Sequence, residues 1–366
     1  MITINFKKRK FYLLTLLVLV FSLALNINTA PVQAGSDELP SLHEAYSEYF
    51  SIGAAVNSST INTHRNLIEK HFNSLTAENE MKFDHLQPRE GFFTFSRADE
   101  IVKLARENNM KVRGHVLVWH SQTPDWVFVD KGKTASREVL LERMENHIKT
   151  VVERYKDDVY AWDVVNEAIS DDGYQTHRED SPWYQIIGED YIAEAFRIAH
   201  EADPEARLFY NDYNAVQPQK MNKIYNMLKG LLEDGVPVHG IGIQGHWDIS
   251  SPSVIDIMQA IEKYASLGLE VQITELDISV FPWNDRRKLA EPTAEMLEKQ
   301  NKRYQALFNL FKRYQDELTG VILWGVADDS TWKDNHPVQG RKDWPLLFDE
   351  DHQPKGAFWE VIQAAE

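Results

Sequence analysis

The sequence predicts an α/β fold, a single closed (β/α)8 TIM barrel, on three observations. Eight short apolar runs alternate with amphipathic segments, with no block made of strands alone or helices alone; that alternation is the pattern of a parallel sheet covered by helices. Eight such units is also the number that closes into a barrel with an outer ring of helices. No G-x-G-x-x-G or phosphate-cradling loop follows a strand, so an open doubly wound sheet lacks its own signal.

Taken in order, Ser51–Ala55 and Ser74–Ala77 open the series of expected strands. The helical pattern Arg97–Asn109 leads to the strand Val112–Val118, and Ser136–Tyr155 leads to Ala161–Asn166. Asp190–Ala202 precedes Leu208–Asn211, Lys220–Asp234 precedes Gly240–Gln244, and Val254–Leu267 precedes Val271–Thr274. Ala294–Glu317 then leads to the last strand, Val321–Trp324. The helix assignments rest on periodicity: between Ser136 and Tyr155, apolar Val139, Leu140, Met144, Ile148, Val151 and Val152 recur near the helical repeat and place one stripe against a sheet. Trp162 lies mid-strand and is expected in the core. No linker, low-complexity tract or repeat interrupts residues 41–366, so one domain is expected over 35–366.

The first 34 residues read differently. Lys7-Lys8-Arg9-Lys10 precedes an uncharged apolar run from Phe11 to Leu25, and Val32-Gln33-Ala34 has small residues at cleavage spacing. This is the pattern of a secretory signal peptide cut after Ala34; the run is short of the roughly 20 apolar residues of a spanning helix. Cleavage removes four basic residues and no acidic one, taking the formal net charge from −17 to −21. So acidic a surface argues against nucleic-acid and membrane partners. Cysteine is absent, so a secreted fold of this kind must rely on its core rather than on disulfides. A monomer is expected.

In a (β/α)8 barrel, side chains at the C-terminal strand ends converge on one rim. Here those ends carry Glu78-Asn79 with Lys82, His115 with Trp119, Asn166-Glu167, Asn211 with Tyr213, Gln244 with His246, Glu275 with Asp277, and Trp324. Glu167 in "VVNEA" and Glu275 in "ITELD" each follow an apolar run. Singly, either is an ordinary surface or ion-paired acid. Two carboxylates across one mouth are what glycosidic bond cleavage requires, one to protonate the leaving oxygen and the other to attack the anomeric carbon or activate water. No H-E-x-x-H or comparable ligand spacing joins the histidines, so neither a catalytic metal nor a cofactor is expected.

The blocks "TAENEMK", "GHVLVWHSQTPDW", "WDVVNEA", "YNDYN", "GIQGHW", "ITELDI" and "LWGVADDSTW" occur in this order across residues 45 to 365. Together they resemble the glycoside hydrolase family 10 endo-β-1,4-xylanases. The resemblance implies internal cleavage of xylan and xylo-oligosaccharides, with retention of anomeric configuration through a glycosyl-enzyme intermediate. It implies Glu167 as general acid/base and Glu275 as nucleophile, with His246 and Asp277 orienting the latter. It also implies sugar binding by Glu78, Asn79, Lys82, His115, Trp119, Gln122, Asn166 and Gln244. Tyr213 would be an aromatic platform on the leaving-group side, and Trp324 and Trp332 would wall the cleft near the cleavage point. The two-carboxylate machinery does not itself choose pentose over hexose, so a retaining β-1,4-glucanase is the nearest alternative, and a non-catalytic sugar-binding protein a remote one. The segment Phe281–Pro292 is expected at the cleft edge, with no role for Trp283 or Arg286 evident from sequence.

Overall fold

The computed structural model describes residues 39–366; the expected signal peptide lies outside them. Eight strands form the barrel: β1 (Ser51–Val56), β2 (Ser74–Ala77), β3 (Lys111–Trp119), β4 (Val159–Asn166), β5 (Arg207–Asp212), β6 (Gly240–Ile243), β7 (Glu270–Ser279) and β8 (Leu318–Leu323). Each pairs in parallel with the next, and β8 closes on β1 with Ser51 opposite Gly320. The expected (β/α)8 barrel is therefore the observed fold. Among the described residues, no helix is long and apolar enough to cross a membrane.

Strand β7 departs most from expectation. Its apolar run suggests an end at Thr274, yet it continues to Ser279 and carries Glu275 within it. The reason is a second pairing partner: the short strand His246–Asp248 runs parallel to Asp277–Ser279, giving later backbone groups a ladder that local pattern cannot reveal. Against β8 the register shifts between Ile273 and Leu276, so the strand bulges where Glu275 sits. β8 itself starts at Leu318, three residues early, and ends at Leu323 with Trp324 just beyond.

The helices begin where capping side chains place them. Ser136 accepts from Val139 N, Ser253 and Asp256 form a reciprocal box, and Thr293 accepts from Met296 N, each satisfying backbone donors with no partner in the first turn. The helix Ala294–Arg313 ends four residues before the expected limit, where Leu318 N donates to Tyr314 O at 2.7 Å in a turn that feeds β8. In the helix Arg137–Arg154 the buried stripe is Leu140, Met144, His147, Ile148, Val151 and Val152. His147 completes it by stacking on Phe83 at 3.5 Å.

Neighbouring strand residues face opposite sides of the sheet. Asp163 pairs with Arg113 and with His115 across the barrel interior, and Trp162, its neighbour, is fully buried on the other face, beneath the helices. The indole lies over Gly114, where a Cβ would come within 2.1 Å of Trp162 Cε3.

Candidate active site

Strand β4 delivers Glu167 to the rim by an unusual backbone. The residue just past Asn166 has φ +56, a left-handed conformation that a side chain normally disfavours. It is held from both sides: Glu167 N donates to Asn211 O at 2.9 Å, and Arg178 Nε donates to Glu167 O at 2.9 Å. The carboxylate then accepts from Trp119 Nε1 and from Gln244 Nε2, each at 2.9 Å. It is half-buried and lines a cleft of about 810 Å³.

Glu275 lines the same cleft but is only 5% exposed. Asn211 Nδ2 donates to its Oε1 at 2.8 Å and His246 Nε2 to its Oε2 at 3.0 Å. His246 Nδ1 donates in turn to Asp277 Oδ2 at 2.8 Å. Asp277 is fully buried behind the imidazole, where it accepts from Trp332 Nε1 at 2.7 Å and pairs with Lys333 Nζ at 3.3 Å.

Charge follows from this packing. Burial pushes the His246 imidazole towards neutrality, but Asp277 and then Glu275 overcome it and raise its pKa to about 9. Burial likewise pushes Glu275 up, and the His246 hydrogen bond with the charges of His115 and His246 outweighs it, leaving the carboxyl below its ordinary range. Glu275 is therefore an ionised oxygen pair bordered by donors, while Glu167 opens to the cleft.

Amides connect the two acids. Gln244 Nε2 bridges Glu167 Oε1 and Asn166 Oδ1, at 2.9 and 3.3 Å; Asn211 Nδ2 bridges Asn166 Oδ1 and Glu275 Oε1, at 3.0 and 2.8 Å. Thr274 Oγ1 donates to Asn211 Oδ1 at 2.7 Å, which fixes which way that amide points.

The candidate residues from the sequence converge here. Glu78, Asn79, Lys82, His115, Trp119, Gln122, Asn166, Tyr213, Gln244, His246, Trp324 and Trp332 all line the cleft with the two acids; Asp277 lies behind it. Lys82 pairs with neither Glu78 nor Glu80: its Nζ donates to Asn79 Oδ1 at 3.0 Å and Gln122 Oε1 at 2.8 Å, and lies 5.1 Å from the Trp119 ring. Glu78 accepts from Asn57 Nδ2 at 2.9 Å, and Glu80 takes the Ser58 backbone and hydroxyl. Trp324 stands edge-on to both His115 and His246.

A cleft of hydroxyl-matching donors and acceptors walled by indoles, with two acids at its floor, invites comparison with known proteins. The family model described as glycosyl hydrolase family 10 matches residues 41–364. This chain belongs to glycosyl hydrolase family 10. Among its relatives, an endo-1,4-beta-xylanase B of Paenibacillus barcinonensis is 56% identical over 329 residues, spanning 89% of this chain and 99% of the relative. An endo-1,4-beta-xylanase of Geobacillus stearothermophilus is 56% identical over 328 residues, spanning 88% and 98%. The solved xylanase XynB of P. barcinonensis, complexed with a conduramine derivative, superposes with a TM-score of 0.88 over 89% of this chain and 99% of that one, at 56% identity. Another solved chain, a mutant in complex with xylotriose, gives a TM-score of 0.87 at 53% identity, covering 88% and 99%.

Several residues of this family 10 glycoside hydrolase site escape a reading of the sequence alone. Asn211 is visible only as a strand end, yet it touches both Asn166 and Glu275. Lys333 looks like a surface lysine and is buried against Asp277. Arg178, in a loop without a recognisable pattern, holds Glu167 O and donates to the Tyr213 hydroxyl at 2.8 Å. Tyr213 is further pinned by Asp171 and by Lys220 Nζ, 3.7 Å from its ring centre.

The Phe281–Pro292 segment also gains a definite place. Phe281 is buried against Trp344 in a satellite core. Trp283 N donates to Asp248 Oδ2 at 3.1 Å, and its ring, 57% exposed, lies 5.6 Å from His336 and lines the cleft. His336 stacks on Trp332 at 4.7 Å, so three rings run from the cleft floor outward. Arg286 is not part of the cleft lining, and its Nη1 reaches Pro337 O at 3.5 Å.

Proposed function

We propose that this glycoside hydrolase is an endo-1,4-β-xylanase that cuts within xylan and xylo-oligosaccharides by double displacement, with retention at the anomeric carbon. The observation that carries the reading is the contrast between the two acids of one cleft. Glu275, ionised and fixed by Asn211 and His246, is suited to attack the anomeric carbon. Glu167, on the open side and held by Trp119 and Gln244, is suited to give its proton to the leaving oxygen and then to take one from water. His246 and Asp277 would orient the nucleophile. The relatives called endo-1,4-beta-xylanases, at 56% identity along nearly their whole length, support xylan as substrate.

Sugar recognition would fall to groups that both donate and accept. Asn166 Oδ1 already accepts from Gln244 and Asn211, so its NH2 is the group left for a sugar hydroxyl beside Glu275. Glu78, Asn79, Lys82, His115, Trp119, Gln122 and Gln244 would bind the non-reducing side, Tyr213 the leaving-group side, and Trp324 and Trp332 would wall the cleavage point. The protein would be secreted as a monomer after loss of residues 1–34, and its hydrolytic step would use no metal or cofactor.

Hydrolysis of xylohexaose followed by NMR tests the proposal: the β-anomer should appear first at the new reducing end, with internal bonds cut before terminal xylose accumulates. Initial α-anomer would overturn retention, and a faster rate on carboxymethyl cellulose than on xylan would overturn the substrate assignment.

A further inference from the structure

Outside the cleft, one trio of side chains joins three distant segments where the barrel closes. His64 follows β1, in the junction between the helices Thr60–Thr63 and Arg65–His71; Asp329 follows β8; His352 lies in the turn before the helix Gly356–Ala365. His64 Nε2 is 2.8 Å from Asp329 Oδ1, and His352 Nε2 is 3.4 Å from Asp329 Oδ2. One ligand-type atom from each residue lies within 4.8 Å of the others. The two imidazoles lie 4.3 Å apart between ring centres.

We propose that His64, Asp329 and His352 form a binding site for a first-row divalent cation, with Zn²⁺ the natural occupant, which staples the seam between β1 and β8. Two imidazole nitrogens and one carboxylate are borderline donors, suited to Zn²⁺ rather than to Ca²⁺ or Mg²⁺, which prefer all-oxygen cages. Tetrahedral ligands about 2.1 Å from Zn²⁺ stand roughly 3.4 Å from one another, so the trio needs only small side-chain shifts. His64 is 3% exposed and thus held in place, while Asp329 and His352 are each about one-third open to solvent, leaving a path for the ion and a position for water.

The surroundings of His64 allow its ring to become a ligand. Thr63 Oγ1 lies 2.7 Å from His64 Nδ1 and 3.3 Å from Ser59 O. Without a metal, the hydroxyl can donate to Nδ1 while Nε2–H donates to Asp329. With a metal, the ring proton resides on Nδ1 and is donated to Thr63 Oγ1, whose own proton turns to Ser59 O. The ring changes tautomer with no net proton lost, and its orientation remains fixed by a hydrogen bond on the far nitrogen, as ligating histidines require. His352 has φ +61, a conformation that asparagine tolerates better than most residues, so His352→Asn removes the donor without a backbone penalty.

Calorimetric titration of the untagged, EDTA-treated protein with ZnCl2 tests the site. One equivalent should bind, Co²⁺ should give the visible bands of a tetrahedral nitrogen/oxygen site, and Zn²⁺ at a hundredfold excess over its Kd should raise Tm by on the order of 5 °C. His352→Asn and Asp329→Asn should each weaken binding by at least about tenfold and lose the Tm response, with xylan hydrolysis unaltered in the metal-free state. Absence of one-equivalent binding up to about 1 mM, or an equal response in parent and both variants, would overturn the proposal. If Asp329→Asn does not fold, His352→Asn, in an exposed turn, decides the question alone.

Discussion

Replacing Asp277 with asparagine should remove the charge that keeps His246 cationic beneath the nucleophile. In the parent, burial opposes protonation, yet Asp277 at 2.8 Å and Glu275 at 3.0 Å carry the ring from an ordinary pKa of 6.5 to about 9. At about 1.36 kcal/mol per pKa unit, that interval is roughly 3 kcal/mol of preference for the imidazolium. The asparagine keeps the shape and the Trp332 contact but not the charge, and burial then acts with only Glu275 against it. His246 in Asp277→Asn should therefore titrate near or below 6.5, which ¹⁵N NMR of the imidazole reads directly. Stability follows with a definite sign. A raised histidine pKa stabilises the fold fully below about pH 6.5, and that contribution is lost as pH climbs through about 9. The parent should lose roughly 3 kcal/mol across that window in denaturant titrations; the variant should be less stable at pH 6, with Lys333 also unpaired, and nearly flat from 6.5 to 9. A parent midpoint near 6.5, or identical midpoints in the two proteins, would refute this account of the electrostatics.

Two further outcomes test the chemistry and the core. Glu275→Ala should abolish turnover of every substrate, whereas Glu167→Ala should slow xylan hydrolysis by about 10²–10⁴-fold but leave the first step on an activated aryl xyloside within about tenfold of the parent; burst kinetics showing equal collapse of both variants would contradict the division of roles. Gly114→Ala would place a methyl 2.1 Å from a fully buried Trp162 carbon. It should cost about 1–3 kcal/mol or more, seen as a lower urea midpoint, and an unchanged midpoint would mean the ring moves freely.

Much of the fold is legible before any coordinates because burial leaves its mark along the chain. Apolar runs of four to seven residues alternate with helical stripes, and that periodicity is enough to locate all eight strands and the major helices. The boundaries are less legible. β7 runs five residues past Thr274 because His246–Asp248 lies beside it, and a pairing partner from another segment leaves no trace in local sequence. Glu167 and Glu275 could be singled out since charge after an apolar run is conspicuous. Asn211 could be placed at the rim but not against Glu275, and Arg178 and Lys333 could not be placed at all, because a basic residue in a loop looks the same whether it faces water or a carboxylate.

The sequence by itself determined the closed (β/α)8 barrel, the absence of disulfides and the polar residues that the strand ends carry to the rim, because these depend on periodicity and composition that the chain carries locally. Only the tertiary structure decided the bulge that sets Glu275, the left-handed turn that presents Glu167, the amide chain between them and the charge on His246. Those features arise from register and proximity among strands far apart in sequence, where a shift of one residue turns a side chain to the opposite face and a few ångströms decide which donors a carboxylate meets.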